Sequence, residues 1–309
     1  HSTDLCVFVL KEVINFYNAA TTPVYACYLD AAKAFDKINY WILLDKLLER
    51  NIPKCFVRLL MIWFSTQTFC VRWNNAVSSS FKVRNGVRQG GTLSPYLFNV
   101  YVDNLSQQLT NTKVGCFMNG QCFNHLFYAD DTVLLAPTVN GLQSLIDICK
   151  RFGDFNDITY NFKKSVCSAF MPKTLAFLNI PSVFLGSSML DFIDVNKYLG
   201  IIIDADGTDD NDITRLTRSL YCNGNLLTKR FLTCGVNVKV KLFQTFCYSL
   251  YGTHLWHTYS AGQYRRCTVA YNDIFRKLFG YRRGDSISAA TANLHVDTFN
   301  VVRRRLIYS

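Results

Sequence analysis

The sequence predicts an α+β protein, and three observations predict it. Over residues 1–212, short runs apolar on both faces alternate with stretches of helical periodicity. Over residues 213–309 only helical patterns occur. The chain has 309 residues, half of them apolar and 18% charged, so it can bury large cores and is not generally disordered. That length suits about two domains, and the reading divides them at 212/213.

The elements follow in order. Thr3 and Asp4 can cap a helix running to about Asn18, which Pro23 stops. Val24–Leu29 is apolar on both faces, as a fully buried strand is. Asn39 can cap a helix whose Leu43, Leu44, Leu47 and Leu48 share one face, and Asn51 and Pro53 end it. Pro53 can open the next helix, to about Phe64. Phe69–Trp73 and Phe81–Val83 read as strands joined near Asn74-Asn75. Residues 85–95 hold three glycines and read as a loop with bare backbone, after which Ser94-Pro95 caps a helix to about Leu109. Cys122–Tyr128 and Thr132–Ala136 form a hairpin whose tip is acidic. A helix over 141–152 precedes strands at Ile158–Asn161, Val166–Met171 and Val195–Ile203. The acidic run 204–212 is a polar turn and the expected domain boundary, followed by helices at 213–230, 237–252, 263–279 and 297–308.

Composition narrows the function. No stretch approaches the ~20 apolar residues of a membrane-spanning helix, and the opening residues do not read as a secretion signal. The twelve cysteines are scattered without a C-x-x-C pair. They read as reduced thiols of an intracellular protein, in nucleus or cytoplasm and not secreted. Residues 1–212 carry 18 basic and 19 acidic side chains; residues 213–309 carry 15 basic ones against only Asp273, Asp285 and Asp297. A one-signed field of that size points to a polyanion, most commonly nucleic acid, although a basic surface without a specific ligand has the same composition.

Chemistry concentrates at two acidic strand ends. Asp30 follows the buried strand, and Asp130 and Asp131 form the hairpin tip. Clustered carboxylates repel and resist burial, and no Arg or Lys adjoins the tip in sequence. Mg²⁺ answers that problem: it is a hard ion that takes one or two carboxylates together with phosphate oxygens and water. An Asp-Asp pair is by itself more often an ordinary turn. Gly86, Gly90 and Gly91 allow close approach of another chain, while Arg88 and Gln89 offer donors to phosphate, sugar or base. A flexible turn before a helix reads the same way.

Five motifs in order resemble those of reverse transcriptases of non-long-terminal-repeat (LINE-type) retrotransposons. Tyr28-Leu-Asp-Ala-Ala-Lys-Ala-Phe-Asp36 resembles motif A, Arg88-Gln-Gly-Gly-Thr-Leu-Ser-Pro95 motif B, and Tyr128-Ala-Asp-Asp131 motif C. Asn161-Phe-Lys-Lys-Ser165 resembles motif D and Lys197-Tyr-Leu-Gly200 motif E, the primer grip. The resemblance implies a right-hand polymerase, with an antiparallel palm and partial fingers in residues 1–212 and a helical, basic thumb in 213–309. It implies RNA-directed DNA synthesis from a DNA primer, RNA template and deoxynucleoside triphosphates, with two Mg²⁺ ions, or Mn²⁺, held by Asp30, Asp130 and Asp131. The Ala31 carbonyl would also reach a metal. Phe35 would stand as a gate against a 2′-hydroxyl, and Arg88, Gln89 and Gly90 would line the nucleotide. Lys164 would lie near the triphosphate, and Tyr198, Leu199 and Gly200 would hold the primer end. Lys229, Arg230, Lys239, Lys241, Arg265 and Arg266 would follow template–primer phosphates.

The same resemblance sets expectations about what is missing: the upstream fingers segment, an endonuclease and a terminal Cys/His knuckle. Two other functions stay open. One is a relic that binds nucleic acid without polymerising; the other is a palm-type nucleotidyl cyclase, against which the basic last third counts. His254-x-x-His257 reads as two surface or core histidines. Arg303-Arg-Arg305 reads either as a phosphate or localisation patch or as a basic helix end.

Overall fold

The computed structural model describes residues 2–172, 174 and 179–308. The chain forms two compact units, one of residues 10–193 and one of residues 194–309 with residues 1–9. Helix α1, Thr3–Ala19, starts on a cap supplied by Ser2, whose Oγ accepts the Leu5 N–H at 3.3 Å, rather than by Thr3 or Asp4.

The first unit is built on one antiparallel sheet. Strand β1, Val24–Asp30, is buried from Val24 to Leu29, as its two-faced apolar run requires. It lies between β9, Asp131–Ala136, and β10, Val166–Phe170; β8, His125–Tyr128, closes the order β10-β1-β9-β8. Tyr25, Cys27 and Leu29 face a core shared with Leu142, Leu145, Ile146 and Cys149 of α5, Val139–Phe155, which Thr138 caps by accepting the Gly141 N–H. The same core takes Leu43, Leu44 and Leu47 of α2, Tyr40–Glu49, and Val57, Leu60 and Phe64 of α3, Lys54–Thr66. Asn39 caps α2 as its side-chain type predicts, accepting from the Trp41 N–H.

Several expected elements differ. The segment after α3 is a two-tier hairpin: β2, Thr68–Phe69, pairs with β5, Phe81–Lys82, and β3, Arg72–Trp73, pairs with β4, Ala76–Val77, around a turn at Asn74. Ser94 is not a cap but the first residue of α4, Ser94–Asn111, because its buried hydroxyl donates back to the Arg88 carbonyl and closes the glycine loop. The expected strand Cys122–Tyr128 breaks at Asn124. This side chain is buried and donates to the carbonyls of Leu109 and Val114. The break separates β7, Gln121–Phe123, paired with β6, Cys116–Met118, from β8. Residues 158–161 are not a strand; a single bridge joins Ala31 to Tyr160. A hairpin of β11, Val183–Leu185, and β12, Ser188–Leu190, had no legible sequence signal.

In the second unit, β13, Val195–Tyr198, and β14, Ile201–Asp204, form a tight hairpin rather than one strand group. Helices α6, Asp210–Phe231, α7, Val236–Cys247, α8, Ala261–Phe279, and α10, Phe299–Tyr308, pack around Leu216, Leu220, Phe243, Tyr271 and Phe275. A short α9, Ile287–Asn293, lies between the last two. Helix α7 ends at Cys247 instead of 252, and a short 3-10 turn follows over Thr253–Leu255. The acidic run 204–212 lies within this unit, away from the break at 193/194. Asp209 and Asp212 are buried there, because their carboxylates accept backbone N–H groups: those of His257 and Thr258 on Asp209 and of Ile202 on Asp212.

Candidate active site

The two acidic strand ends meet. Asp30, last in β1, stands directly opposite Asp131, first in β9, in the antiparallel register. Asp130 precedes it in a two-residue turn closed by the Tyr128–Asp131 pair, with Ala129 in the left-handed region at φ 53°. Asp130 and Asp131 are accessible at the sheet end. Partial burial first, then the charges of Asp130 and Asp30, raise the Asp131 carboxyl above the usual carboxylate range. Among the described residues no ion pair neutralises any of the three.

The segment 158–165 folds onto the end of β1. Asn161 N–H donates to the Asp30 carbonyl at 2.8 Å, and Asp30 N–H donates to Ser165 Oγ at 3.1 Å. The bridge at Ala31 uses the carbonyl of Asp30 and the N–H of Ala32, leaving the Ala31 carbonyl out of that pairing. Lys164 is exposed on the turn that Asn161 opens.

The glycine loop is bolted to the turn after β1. Gly86 N–H donates to the Ile38 carbonyl and Val87 N–H to the Phe35 carbonyl, each at 2.8 Å. A Cβ on Gly86 would lie 2.6 Å from the Asp36 carbonyl oxygen, and its φ is +89°, so only glycine fits. Tyr40 hydroxyl donates to the Gly86 carbonyl at 2.8 Å and accepts from Gln67 Nε2 at 2.5 Å. The Phe35 ring is partly buried and stacks on Phe98 with centroids 4.7 Å apart. Arg88, Gln89 and Gly90 are exposed, with the Arg88 guanidinium over the Phe69 ring at 4.9 Å. A cavity of about 330 Å³ opens beside them, lined by Trp63, Phe64, Gln67, Val87 and Leu97.

In the second unit, Tyr198 is buried and Leu199 and Gly200 make the hairpin turn, at φ 45° and 84°. Lys229, Arg230, Lys241, Arg265 and Arg266 are exposed and Lys239 is half-exposed. The triple arginine is no continuous patch. Arg303 sits among the rings of Trp256, Tyr259 and Tyr264 and donates to the carbonyls of Thr253 and Trp256. Arg305 pairs with Asp297, and Arg304 is exposed. His254 approaches Asp4 at 3.9 Å, while His257 is exposed and its N–H donates to Asp209.

Among the described residues no three His, Cys, Asp or Glu side chains form a ready-made metal cage. Two facing carboxylates with a third beside them still fit Mg²⁺, which takes only one or two carboxylates when phosphate and water complete its shell. All donors there are hard oxygens, and their mutual repulsion is what a cation relieves. Sequence reasoning gave Ser165 no role of its own, though it closes the motif-D stretch, and missed Phe98 and Tyr40. These two carry only the ordinary signal of a core-facing helical position.

An antiparallel sheet with packed helices and an acidic strand-end pair defines an α+β protein of the polymerase fold. In the same fold class, apo telomerase from Candida tropicalis superposes with a TM-score of 0.50 at 13% identity, covering 94% of this chain and 46% of that one. The chain belongs to the reverse transcriptase (RNA-dependent DNA polymerase) family, whose model matches residues 4–203. It is 32% identical over 191 residues to the polyprotein of the type-2 retrotransposable element R2DM of Drosophila melanogaster, covering 59% of this chain and 18% of the relative. It is 26% identical over 307 residues to a probable RNA-directed DNA polymerase from transposon BS of the same organism, covering 92% of this chain and 32% of the relative. The chain thus spans a third or less of the length of these relatives.

Proposed function

We propose that this chain is the polymerase portion of a retrotransposon reverse transcriptase, which extends a primer 3′-hydroxyl with deoxynucleoside triphosphates on an RNA template. The observation that carries the reading is the register opposition of Asp30 and Asp131 with Asp130 beside them. Residues 10–193 then act as palm and partial fingers, and residues 194–309 as a thumb-like region. An endonuclease and further domains belong to a longer polyprotein. The twelve free cysteines accord with a reducing compartment, nucleus or cytoplasm.

In this reading Asp30, Asp130 and Asp131 hold the divalent ions, two Mg²⁺ or Mn²⁺. When bound, these ions supply an activated 3′-oxygen and charge neutralisation on the leaving group. The primer 3′-hydroxyl gives up its proton to solvent, its oxygen bonds to the α-phosphorus, and the bond from that phosphorus to the α,β-bridging oxygen breaks as pyrophosphate leaves. The Asp30 backbone is fixed on both sides, by Asn161 and Ser165, so its carboxylate needs little reorganisation. Phe35, braced by Phe98, excludes a 2′-hydroxyl. Arg88, Gln89 and Gly90 orient the nucleotide, and Lys164 offers a proton to pyrophosphate. Tyr198, Leu199 and Gly200 hold the primer end. Lys229, Arg230, Lys239, Lys241, Arg265 and Arg266 neutralise template–primer phosphates.

Primer extension on an RNA template tests this. Extension depends on Mg²⁺, and Asp130→Ala abolishes it while template binding stays near the wild-type level; an unchanged extension rate in that variant refutes the assignment. The one-signed basic composition of residues 213–309 also suits a second reading, a relic that binds nucleic acid but does not polymerise. Binding with a steep salt dependence, and no extension by this chain, would establish it.

A further inference from the structure

We infer that Tyr251 is a positioning residue for the primer 3′ end, acting through the Leu199–Gly200 turn. The inference rests on the reading of that turn as the primer grip.

The turn is strained. Leu199 and Gly200 both take left-handed backbone conformations, at φ 45° and 84°, between the paired residues Tyr198 and Ile201. Two positive φ values match the twist of a two-residue hairpin. For glycine this is free; for leucine it is strained, since Cβ crowds the carbonyl. Such a conformation persists where its surroundings over-determine it, and strain of this kind gathers at functional sites.

Tyr251 supplies much of that determination. Its hydroxyl donates to the Leu199 carbonyl at 2.9 Å and accepts from Thr3 Oγ1 at 2.8 Å. Its ring lies against Gly200, where a Cβ would stand 3.2 Å from Tyr251 Cε1. The tyrosine is itself anchored. Its carbonyl accepts from Arg215 Nη2 at 3.1 Å, and Arg215 Nε donates to Asp212 Oδ1 at 2.6 Å. Asp212 is fully buried and also accepts from Trp256 Nε1 at 2.8 Å and from the Ile202 N–H of β14 at 2.9 Å. A buried carboxylate thus fixes both the hairpin strand and, through Arg215 and Tyr251, the tip of its turn. Removing the hydroxyl leaves the ring in place but frees the Leu199 carbonyl.

The test is a titration of the full chain with an RNA–DNA hybrid whose recessed DNA primer carries a fluorescent adenine analogue at its 3′ end. A blunt hybrid is titrated beside it. Tyr251→Phe is expected to weaken the 3′-end response about tenfold, the size of one lost hydrogen bond. Its affinity for the blunt hybrid stays within twofold of wild type, and the melting temperature stays within a few degrees. A merely structural role would move all three readouts together, which overturns the inference. So does a Tyr251→Phe chain with the wild-type 3′-end response. A wild-type chain that binds hybrid but gives no 3′-end response overturns the primer-grip reading itself, and this inference with it. Mg²⁺-dependent primer extension by the wild-type chain tests the polymerase reading separately.

Discussion

The ring of Phe35 lies on the ring of Phe98, centroids 4.7 Å apart and planes 24° from parallel. One ring sits in the turn after β1 and the other on α4, 63 residues later, so the first is held by the second. If Phe35 screens the sugar, its selectivity depends on that support. Phe35→Val should raise the ratio of ribo- to deoxyribonucleotide incorporation by tenfold or more, an order of magnitude costing about 1.4 kcal/mol of discrimination. Phe98→Ala should raise it by a smaller factor and also lower stability, by about 3 kcal/mol for a buried phenylalanine. Single-nucleotide incorporation with matched ribo- and deoxyribonucleotides measures both. A ratio that does not move in Phe35→Val removes the gate.

Gly86 and Gly90 separate structure from contact. Both have positive φ, but a Cβ on Gly86 would strike the Asp36 carbonyl, whereas nothing lies within 4 Å of one on Gly90. Gly86→Ala should therefore cost at least about 2 kcal/mol of stability, from strain and clash together. Gly90→Ala should cost about 1 kcal/mol, from strain alone, with a larger effect on the Michaelis constant for nucleotide. Denaturant unfolding of both variants checks the order; equal losses would contradict the packing described.

His125 makes the fold acid-sensitive. Its Nδ1 meets Asn124 Oδ1 at 2.6 Å and its Nε2 meets Ser106 Oγ at 2.7 Å. A neutral ring protonated on Nδ1 satisfies both, donating to the amide oxygen and accepting from the hydroxyl. Burial lowers its pKa from 6.5 to about 4. Between those values the unfolded chain binds a proton that the folded chain refuses. The stability from this group is complete above pH 6.5, falls as pH drops toward 4, and levels off below; the loss is at most about 3 kcal/mol. Urea unfolding across pH 4–7 should show this slope in the wild type and a flatter one in His125→Gln.

The basic residues of the second unit should divide into two classes. Lys229, Arg230, Arg265 and Arg266 are exposed, and among the described residues none is in an ion pair. Replacing any one of them with alanine should reduce the salt slope of hybrid binding by up to about one unit, with little change in melting temperature. Arg303 stacks against three rings and donates to two carbonyls, so Arg303→Ala should destabilise the unit by about 2 kcal/mol or more and leave the salt slope unchanged. A filter-binding series paired with thermal melts distinguishes the classes.

The sequence by itself determined the α+β class, the two-faced burial of β1, the cap at Asn39, and the acidic residues at strand ends. Each is written in a few neighbouring residues, through periodicity or a side chain reaching its own backbone. It determined the family as well, because five short motifs keep their order. Only the tertiary structure decided which groups meet. Asp30 faces Asp131 through strand register, and its N–H finds Ser165 Oγ 135 residues away. The stretch 158–161 reads as a strand but folds as a loop on β1, and one basic arginine of the last helix turns inward to three aromatic rings. Propensity is local, whereas pairing and burial depend on distant partners whose approach no short window of sequence encodes.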